Sequence, residues 1–581
     1  MFFAELSKYF DKIERISSRL EITRLLSELF TKLSPEEIQE VAYLLQSRVV
    51  PVYVKQEFGI AEKLAFKAFV VSFSLEEKSI RAELKKKGDL GEVIEFYRKT
   101  SRSLFETDQE ISIHQVFLLL EKLSKLTGNG AQDSKLAILS ELFRQLDATS
   151  CKYLVRIVTG NLRLKFSDMT ILDAYSWMLT GGKELRKSIE EKYNVRPDIG
   201  YVGRLLKEHG TEGLVHIRPE PGIPILMARA ERVAKPEDIL EKIGPCAIEP
   251  KYDGFRLQIH ILKDTSVRIY SRNMDDVTPM FPDIVAAIQK EINTTEVIFE
   301  GEAVGYSTAD GKYLPFQETV QRKRKYDVVE KSKKIPLHLF AFDVLYKKGI
   351  SLLLAPYEER EKELRSLFTK QEVDKDTIVR PTTITRVSTA EEIESLFLAA
   401  TSEGLEGIMA KKLMGKYEAG ARGWNWIKFK HSYSSHLNDT IDCVVMGYDL
   451  GKGKRTNFGI GAFLIGVFDE EKEKFVTVAK VGTGLTDEEW KAIRILCDEH
   501  TSEKVPNTYE LTKSISVDQW VNPFIVVEIR ADEITKSPTH TAGFALRFPR
   551  LERMRPDKKS EQCTTLHELV TIMKTQNDRT Y

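Results

Sequence analysis

Eight residues near the middle of the chain, Glu249 to Arg256, place a lysine at a corner between two predicted strands. They read Glu-Pro-Lys-Tyr-Asp-Gly-Phe-Arg, and the Asp-Gly step after Lys251 is typical of a turn. Pro250 disfavours helical backbone for the residue before it, so the approach to the lysine is extended. After the turn, apolar residues alternate with polar ones, at Phe255, Leu257, Ile259 and Ile261. This period of two predicts a half-buried strand, so Lys251 lies at a strand–turn–strand corner inside a sheet.

A lysine in such a position is a candidate nucleophile. Only about one free lysine side chain in two thousand is neutral at pH 7, because its usual pKa is roughly 10.4. Burial or neighbouring cations lower that pKa, and a neutral amine can attack a carbonyl or a phosphorus atom. The alternative at this point is an ordinary hairpin that carries a surface lysine.

Further short segments place charged or aromatic residues beside predicted strands and turns. Singly, each has a simpler explanation: Phe342 as a core residue, Glu302 and Glu406 as loop carboxylates, and Lys428 with Lys430 as a solvated strand face. Their common order along the chain is the stronger observation. The set is Arg272, Glu302, Phe342, Glu406, Arg422, Lys428 and Lys430, followed by Arg555, Asp557 and Lys558 in the charged run 547–558.

In order and spacing, this set resembles the motifs of ATP-dependent DNA ligases, most closely the replicative type shared by archaea and eukaryotes. The resemblance covers residues 1 to about 560 of the chain. It implies a multidomain protein with an all-α N-terminal domain, an α+β nucleotidyltransferase (adenylation) domain and a C-terminal OB-fold β-barrel. It also implies three displacements at phosphorus: ATP adenylates Lys251, AMP passes to the 5′-phosphate of a nick, and the 3′-hydroxyl displaces AMP.

The resemblance also assigns roles to the matching positions. Phe342 would stack on adenine, and Glu302 would reach the ribose or a metal. Basic groups such as Arg272 and Lys430 are of the kind that stabilise charge developing on phosphoryl oxygens. The residues expected to bind ATP or AMP are Glu249, Arg256, Arg272, Glu302, Phe342, Arg422, Lys428 and Lys430.

Two smaller sets complete the expected site. Glu302 and Glu406 are hard oxygen donors of the type that hold Mg²⁺ together with phosphates, so ATP and Mg²⁺ are the implied cofactors. In the family, the motif matching Arg555, Asp557 and Lys558 serves the first step, where it would orient the departing pyrophosphate.

The first 210 or so residues predict a helical domain, which we place at 1–212. Apolar residues recur at helical spacing in 22–30, 116–126 and 136–146. Ser34 and Glu37 have the spacing of a capping box at a helix start. These patterns predict α-helices without intervening strands.

One stretch of this region, 152–166, carries basic residues and no acid: Lys152, Arg156, Arg163 and Lys165. It resembles part of the helical DNA-binding domain of the same ligases, which grips duplex DNA through the minor groove. The alternative is a solvated helix face. The resemblance therefore predicts that these four residues contact DNA.

The remaining chain divides at a linker. Three prolines fall within 218–224, and strands mix with helices from 225 to 432, which fits an adenylation domain. Residues 433–581 read as short strands around one helix and predict an OB-type barrel. The predicted elements are strands at 441–448, 462–468, 475–481 and 524–529 and a helix at 487–497.

Composition limits the partners. The 581 residues include 87 basic and 87 acidic ones, so DNA affinity must come from local basic patches. The five cysteines form no Cys-x-x-Cys pair, and no apolar run approaches the length of a membrane span. We expect a cytoplasmic, monomeric protein that acts on nicked duplex DNA, with a sliding clamp as a candidate partner.

Several functions stay open at this point. An RNA ligase and an mRNA capping guanylyltransferase share the lysine motif, but the long helical N-terminal region is unusual for both. An NAD-dependent ligase would show a four-cysteine zinc site. A DNA-binding scaffold with a decayed core would be expected to lose Lys251, Glu406 or Lys428, and all three are present. The sequence does not decide whether ADP or another nucleotide replaces ATP.

Overall fold

The computed structural model describes residues 1–100, 110–164, 166–309, 311–314, 316–322, 328–369, 377–430, 440–451, 455, 458–483, 485–512 and 514–578. The chain divides into two compact units, Met1–Arg232 with Pro236–Lys428, and Val233–Lys235 with Phe429–Tyr581. Lys165 and the predicted boundary at 432–433 lie outside the described residues. Within the ranges given, no helix has the length and apolar character needed to cross a membrane.

The first part of the larger unit is helical. Its helices are α1 (Phe3–Glu14), α2 (Arg19–Lys32), α3 (Pro35–Leu45), α4 (Glu62–Phe73), α5 (Glu77–Lys87), α6 (Leu90–Thr100), α7 (Ile113–Lys125), α8 (Ala131–Gln145), α9 (Ala148–Val158), α10 (Asp168–Thr180), α11 (Arg186–Val195) and α12 (Ile199–His209). The three predicted apolar segments coincide with α2, α7 and α8. The capping box is confirmed, because the Ser34 hydroxyl accepts from the Glu37 N–H at 3.2 Å and the Glu37 carboxylate accepts from the Ser34 N–H at 3.0 Å.

The rest of the larger unit mixes strands and helices, as predicted for an adenylation domain, and its last strand continues for two residues into the smaller unit. The strands are β1 (Arg229–Arg232), β2 (Cys246–Lys251), β3 (Phe255–Ile261), β4 (Val267–Ser271), β5 (Val297–Gly305), β6 (Leu337–Lys347), β7 (Ile350–Ser351), β8 (Val379–Pro381), β9 (Thr385–Val387), β10 (Gly407–Lys412) and β11 (Arg422–Lys430). The helices are α13 (Pro236–Ile243), α14 (Pro282–Glu291), α15 (Phe316–Thr319), α16 (Val328–Lys334), α17 (Tyr357–Arg365) and α18 (Ala390–Ser402).

These strands form two sheets. One has the order β4-β3-β5-β6-β7, with β8 parallel to β6, and the other has the order β1-β11-β10-β2-β9. In the first sheet the alternate residues Ile259, Ile269 and Phe299 enter a common core, as the period of two predicted. The polar residues of the same strands are left to face the other side.

The predicted strand–turn–strand corner at Lys251 is confirmed, but its setting differs from the prediction. Lys251 ends β2 and Phe255 begins β3, and these strands belong to different sheets rather than to one. The chain therefore crosses between the sheets in three residues. Gly254 permits the crossing, because a Cβ atom there would lie 2.2 Å from the carbonyl oxygen of Ala303. Lys251 consequently stands where the two sheets meet.

The smaller unit is rich in short strands. They are β12 (Ile441–Asp449), β13 (Ala462–Asp469), β14 (Lys474–Val481), β15 (Thr501–Ser502), β16 (Tyr509–Glu510), β17 (Gln519–Val521), β18 (Val526–Arg530), β19 (Glu533–Lys536), β20 (Phe544–Arg547) and β21 (Arg550–Met554), with helices α19 (Asp487–Glu499) and α20 (Leu566–Asp578). The main sheet runs β15-β17-β12-β13-β14-β16, and β18 joins β12 to β21. Trp490 of α19 packs against Phe463 in the core. The four strands and the helix predicted here are present, and the OB-fold class is confirmed.

Candidate active site

Lys251 and Glu406 form the centre of the site. The backbone N–H of Glu406, just before β10, donates to the Lys251 carbonyl at 3.1 Å, because β10 pairs with β2 at this point. The Lys251 ammonium donates to the Glu406 carboxylate, and the two side chains keep 20 % and 26 % of their surface exposed. The predicted nucleophile is thus held by an acid but is still reachable from solvent.

Glu302 on β5 faces the same place. Burial raises its pKa to about 7, Lys251 and Arg256 oppose that rise, and Glu406 and Asp253 add to it. Glu302 stands opposite Arg256 in the pairing of β5 with β3. Glu302, Glu406 and Asp253 therefore belong to one electrostatic environment with Lys251 and Arg256.

Three further arginines act on Arg272 beside these acids. Partial burial lowers the pKa of the Arg272 guanidinium, and Arg256, Arg229 and Arg422 lower it further, while Glu302 opposes them. Arg229 and Arg422 are neighbours because β1 pairs with β11 at these two residues. Such a group of cations stabilises an anion placed among them.

Among these cations, Arg256 is held by hydrogen bonds to two groups of the protein. Its Nη2 donates to the Glu300 carboxylate and its Nη1 to the Ala228 carbonyl, both at 2.7 Å. The guanidinium lies 5.4 Å from the ring centre of Phe342 and 5.1 Å from that of Trp426. Its Nε–H is buried without a hydrogen-bond partner among the described residues.

Glu249 is buried in a second group of contacts. Its carboxylate accepts from Lys411 at 2.8 Å and from the Tyr357 hydroxyl. Burial raises the pKa of Glu249, and Lys411 opposes that rise. Lys411 also donates to the Phe342 carbonyl at 2.7 Å, so Glu249 and Phe342 share one anchor.

The structure thus brings most of the predicted nucleotide-binding residues together. Lys428 and Lys430 lie on β11, both partly exposed, and Phe342 is partly exposed rather than a full core residue. The sequence assigned no role to several supporting residues, because the partners of a buried tyrosine, glutamate or lysine are determined by the fold and not by the local pattern. They are Glu300, Tyr357, Lys411 and Tyr417.

The motif near the C-terminus forms its own cluster in the smaller unit. Arg555 contacts Asp442 at 3.1 Å and Asp557 at 2.8 Å, and Lys558 contacts Asp442 at 2.6 Å. The hydrogen bond from Arg555 lowers the pKa of Asp557 to about 2, and the Asp557 side chain is 61 % exposed. The three residues are held together, with Asp557 facing solvent.

The basic residues of the helical region are placed differently from the prediction. Lys152 and Arg156 are buried in α9, where both bind Glu14, at 2.8 and 2.9 Å, and Arg156 also binds Asp89 at 3.0 Å. This burial argues against direct contact of either residue with DNA phosphate. Arg163 is 42 % exposed and binds Asp89 at 3.0 Å, so it alone of the described three reaches the surface.

Comparison with protein families covers all three regions. The model described as "DNA ligase N terminus" matches residues 2–176, "ATP dependent DNA ligase domain" matches 227–430, and "ATP dependent DNA ligase C terminal region" matches 456–558. The matched central range holds Lys251 and the whole group of arginines around it.

Similar proteins extend over nearly the full length. A protein named probable DNA ligase from Dictyoglomus thermophilum is 44 % identical over 99 % of this chain and 98 % of its own. A DNA ligase from Saccharolobus solfataricus is 37 % identical over 98 % of this chain and 97 % of its own. The solved structure "Pmar-Lig_Pre" matches 94 % of this chain and 98 % of its own with a TM-score of 0.56 at 17 % identity, a likeness of fold.

Proposed function

The chain belongs to the family of ATP-dependent DNA ligases, enzymes that seal nicks in duplex DNA, and we propose that Lys251 is the residue that becomes adenylated. The observation that carries this proposal is the position of Lys251. It stands at the junction of the two sheets, bound to Glu406, with arginines gathered beside the neighbouring Glu302. The family disfavours the alternatives of an RNA ligase and a capping guanylyltransferase.

The proposed first step is attack by the Lys251 amine on the α-phosphate of ATP. The bond from phosphorus to the bridging oxygen breaks, pyrophosphate leaves, and the amine proton passes to solvent or to Glu406. In the second step a 5′-phosphate oxygen of the nick attacks the same phosphorus and frees the lysine. The 3′-hydroxyl then attacks the nick phosphate and AMP leaves. Negative charge gathers on phosphoryl oxygens in each step, which Arg272, Arg422, Lys428 and Lys430 are suited to stabilise.

Orientation of ATP is the proposed task of the surrounding residues. The ring of Phe342 would stack on adenine, the buried Nε–H of Arg256 would donate to the nucleotide, and Glu249 would accept from it. The tie from Lys411 to Glu249 and to the Phe342 backbone supports a pocket that is formed before ATP arrives.

Mg²⁺ fits the donors that are present. In the described part of the chain, no three His, Cys, Asp or Glu side chains converge on one point. Mg²⁺ in phosphate-binding sites is held by one or two carboxylates, with phosphates and water completing its shell, and Glu302 and Glu406 would supply the carboxylates. Bound there, the ion would neutralise charge on the phosphates.

The remaining regions complete the proposal. Arg555, Asp557 and Lys558 would orient pyrophosphate, and the surface around Arg163 would contact DNA. The domains are 1–212 for DNA binding, 225–432 for adenylation and 433–581 for the OB fold. Action as a monomer in the cytoplasm, with a sliding clamp as a candidate partner, belongs to the same proposal.

The test is labelling with α-labelled ATP. Lys251→Ala should lose formation of the acid-stable labelled protein by at least about a thousandfold, because it removes the proposed nucleophile. It should still seal a pre-adenylated nick measurably, since that step does not use the lysine as nucleophile. Lys263→Ala, an exposed lysine just after β3, is the matched control. A labelled Lys251→Ala protein would mean that the nucleophile lies elsewhere.

A further inference from the structure

Three polar side chains are completely buried in the sheet that carries Arg256. Gln258 and His260 on β3 and Glu300 on β5 have no exposed surface. Buried polar groups cost stability unless each finds a partner, and an apolar core of the same shape is often as stable. The partners of these three residues therefore indicate what they hold in place.

His260 holds the chain that enters the domain from the linker. Its Nδ1 accepts from the backbone N–H of Gly222 at 3.0 Å, so the ring proton lies on Nε2, which donates to the side-chain oxygen of Gln258 at 3.0 Å. Burial lowers the pKa of His260 to about 3, so the ring stays neutral. The Tyr270 hydroxyl donates to the Gly222 carbonyl at 2.5 Å. Both backbone groups of Gly222 are thus bound.

Gln258 binds the same segment three residues later. Its oxygen accepts from the Ile225 N–H at 2.7 Å, and its amide nitrogen donates to the Ile225 carbonyl at 3.0 Å. The same amide nitrogen donates to Glu300 at 3.0 Å. The Gln258 side chain therefore binds both backbone groups of Ile225, as a neighbouring strand would, and it also binds Glu300.

Glu300 and Tyr417 connect this series of hydrogen bonds to Arg256. The second oxygen of Glu300 accepts from Arg256 at 2.7 Å and from the Tyr417 hydroxyl at 3.0 Å. The Tyr417 oxygen accepts from the Ala228 N–H at 2.9 Å, and Arg256 donates to the Ala228 carbonyl at 2.7 Å. Gly222, Ile225 and Ala228 are thus each bound through both backbone groups, and the last connection is Arg256 itself.

The segment 222–228 also touches the helical region. The Leu226 N–H donates to the carbonyl of Asn194 in α11 at 2.8 Å, and the Leu226 carbonyl accepts from the Gly420 N–H at 2.8 Å. One strip of backbone is therefore bound on one side to the helices, through Leu226, and on the other to Arg256, through Ala228. A shift of this strip would move Arg256.

We propose that Gln258 and Tyr417 are positioning residues that couple the linker segment 222–228 to the nucleotide pocket through Glu300 and Arg256. The proposal rests on the role proposed for Arg256 in binding ATP. By reciprocity, nucleotide binding should order the segment to the same degree that a seated segment favours nucleotide binding.

The first experiment measures self-adenylation by Tyr417→Phe at varied ATP concentration. Removal of one hydroxyl should raise KM for ATP about tenfold with a smaller change in kcat. Tyr448→Phe is the matched control, because the buried Tyr448 hydroxyl likewise binds a carboxylate, Asp498 at 2.9 Å, in the smaller unit. Both variants should lower Tm, but only Tyr417→Phe should raise KM. An unchanged KM in Tyr417→Phe would reduce these contacts to structural support and overturn the inference.

The second experiment separates this inference from the proposed function. Hydrogen exchange at the amides of Gly222, Ile225 and Ala228 should slow when ATP is added to the wild type with EDTA present, and should respond less in Tyr417→Phe and Gln258→Met. Absence of any response in the wild type overturns the coupling. Arg256→Ala is measured beside them. If its KM is unchanged, the role proposed for Arg256 is wrong; if its KM rises while Tyr417→Phe is normal, only the coupling is wrong.

Discussion

Basic residues serve opposite purposes in the adenylation region and in the helical region. Around Lys251, the guanidinium groups of Arg229 and Arg422 act on Arg272, whose pKa is lowered by partial burial and by those neighbours. In α9, the buried Lys152 and Arg156 are each bound to acids within 3.0 Å. The first group has charge available for a ligand, and the second has used its charge inside the protein.

This difference shows how a binding site can be told from a structural ion pair. Cations that repel one another lower the stability of the free protein and gain when an anion arrives, so they mark a site. Cations that form ion pairs with buried acids stabilise the fold, because removal of such a cation leaves the acid buried and unpaired. Mutation of the two groups should therefore change different measured quantities.

The largest expected effect is that of Arg272→Ala on catalysis. Self-adenylation should fall by two to three orders of magnitude, because a cation next to the developing phosphoryl charge contributes about 3–4 kcal/mol. Tm should stay the same or rise, since the mutation relieves repulsion from Arg256, Arg229 and Arg422. Labelling with α-labelled ATP and thermal unfolding measure the two quantities.

Arg268→Ala is the control for that experiment. Arg268 lies on β4, is 53 % exposed and binds Asp276 at 3.3 Å. Its loss should change self-adenylation by no more than about twofold, as expected for an exposed ion pair. If Arg272→Ala is as active as Arg268→Ala but clearly less stable, then Arg272 is a structural cation and does not mark a binding site.

The structure brings together residues that the sequence predicted for the nucleotide site, whereas it buries two of the residues predicted to contact DNA, and the reason for the difference is physical. Lys251 ends β2, Arg272 directly follows β4, and Glu302 lies within β5, so local pattern determines their positions. The acids that bind Lys152 and Arg156 are Glu14 and Asp89, which are distant from them in the sequence. An acid-free stretch therefore does not show that its cations are free. For the same reason the sequence did not reveal Tyr417 or Lys411, which act through contacts made only in the fold.

Arg156→Met should have the next largest effect, on stability. The free energy of unfolding should fall by about 3 kcal/mol, because Glu14 and Asp89 lose a buried partner. Urea unfolding measures this loss, and self-adenylation per folded molecule should not change. Lys125→Met, which breaks an exposed pair with Glu121 at 2.8 Å in α7, should cost less than about 1 kcal/mol. A stable Arg156→Met protein that binds nicks tenfold more weakly would restore the predicted DNA contact.

The ion pairs of Glu14 with Lys152 and Arg156 should also appear in the pH dependence of stability, when Glu14→Gln is compared with the wild type. Burial raises the pKa of Glu14, but hydrogen bonds from Arg156, Lys152 and Tyr153 outweigh it and lower that pKa to about 2. The stabilisation is therefore complete above the unfolded pKa of roughly 4.3 and is lost as pH falls towards 2. Glu14→Gln should cost about 2 kcal/mol at pH 7, with the difference from wild type shrinking as the pH falls from roughly 4.3 towards 2. A difference that is constant with pH would mean that the charge of Glu14 contributes nothing.

The smallest expected effect is that of Arg163→Ala on nick binding. It tests whether Arg163 binds DNA or is, like Lys152 and Arg156, a structural cation. Arg163 binds Asp89 at the surface end of the buried network, yet its side chain is 42 % exposed, so it can turn to a phosphate while Arg156 keeps Asp89 paired. One lost phosphate contact should reduce the slope of log affinity against log salt by about 0.9 and leave stability nearly unchanged. Arg81→Ala, which removes an exposed arginine paired with Glu77 on α5, should leave the slope as it is. Equal slopes for Arg163→Ala and wild type would place Arg163 with Lys152 and Arg156 as a structural cation, and the DNA surface of the helical region would then have to lie away from α9.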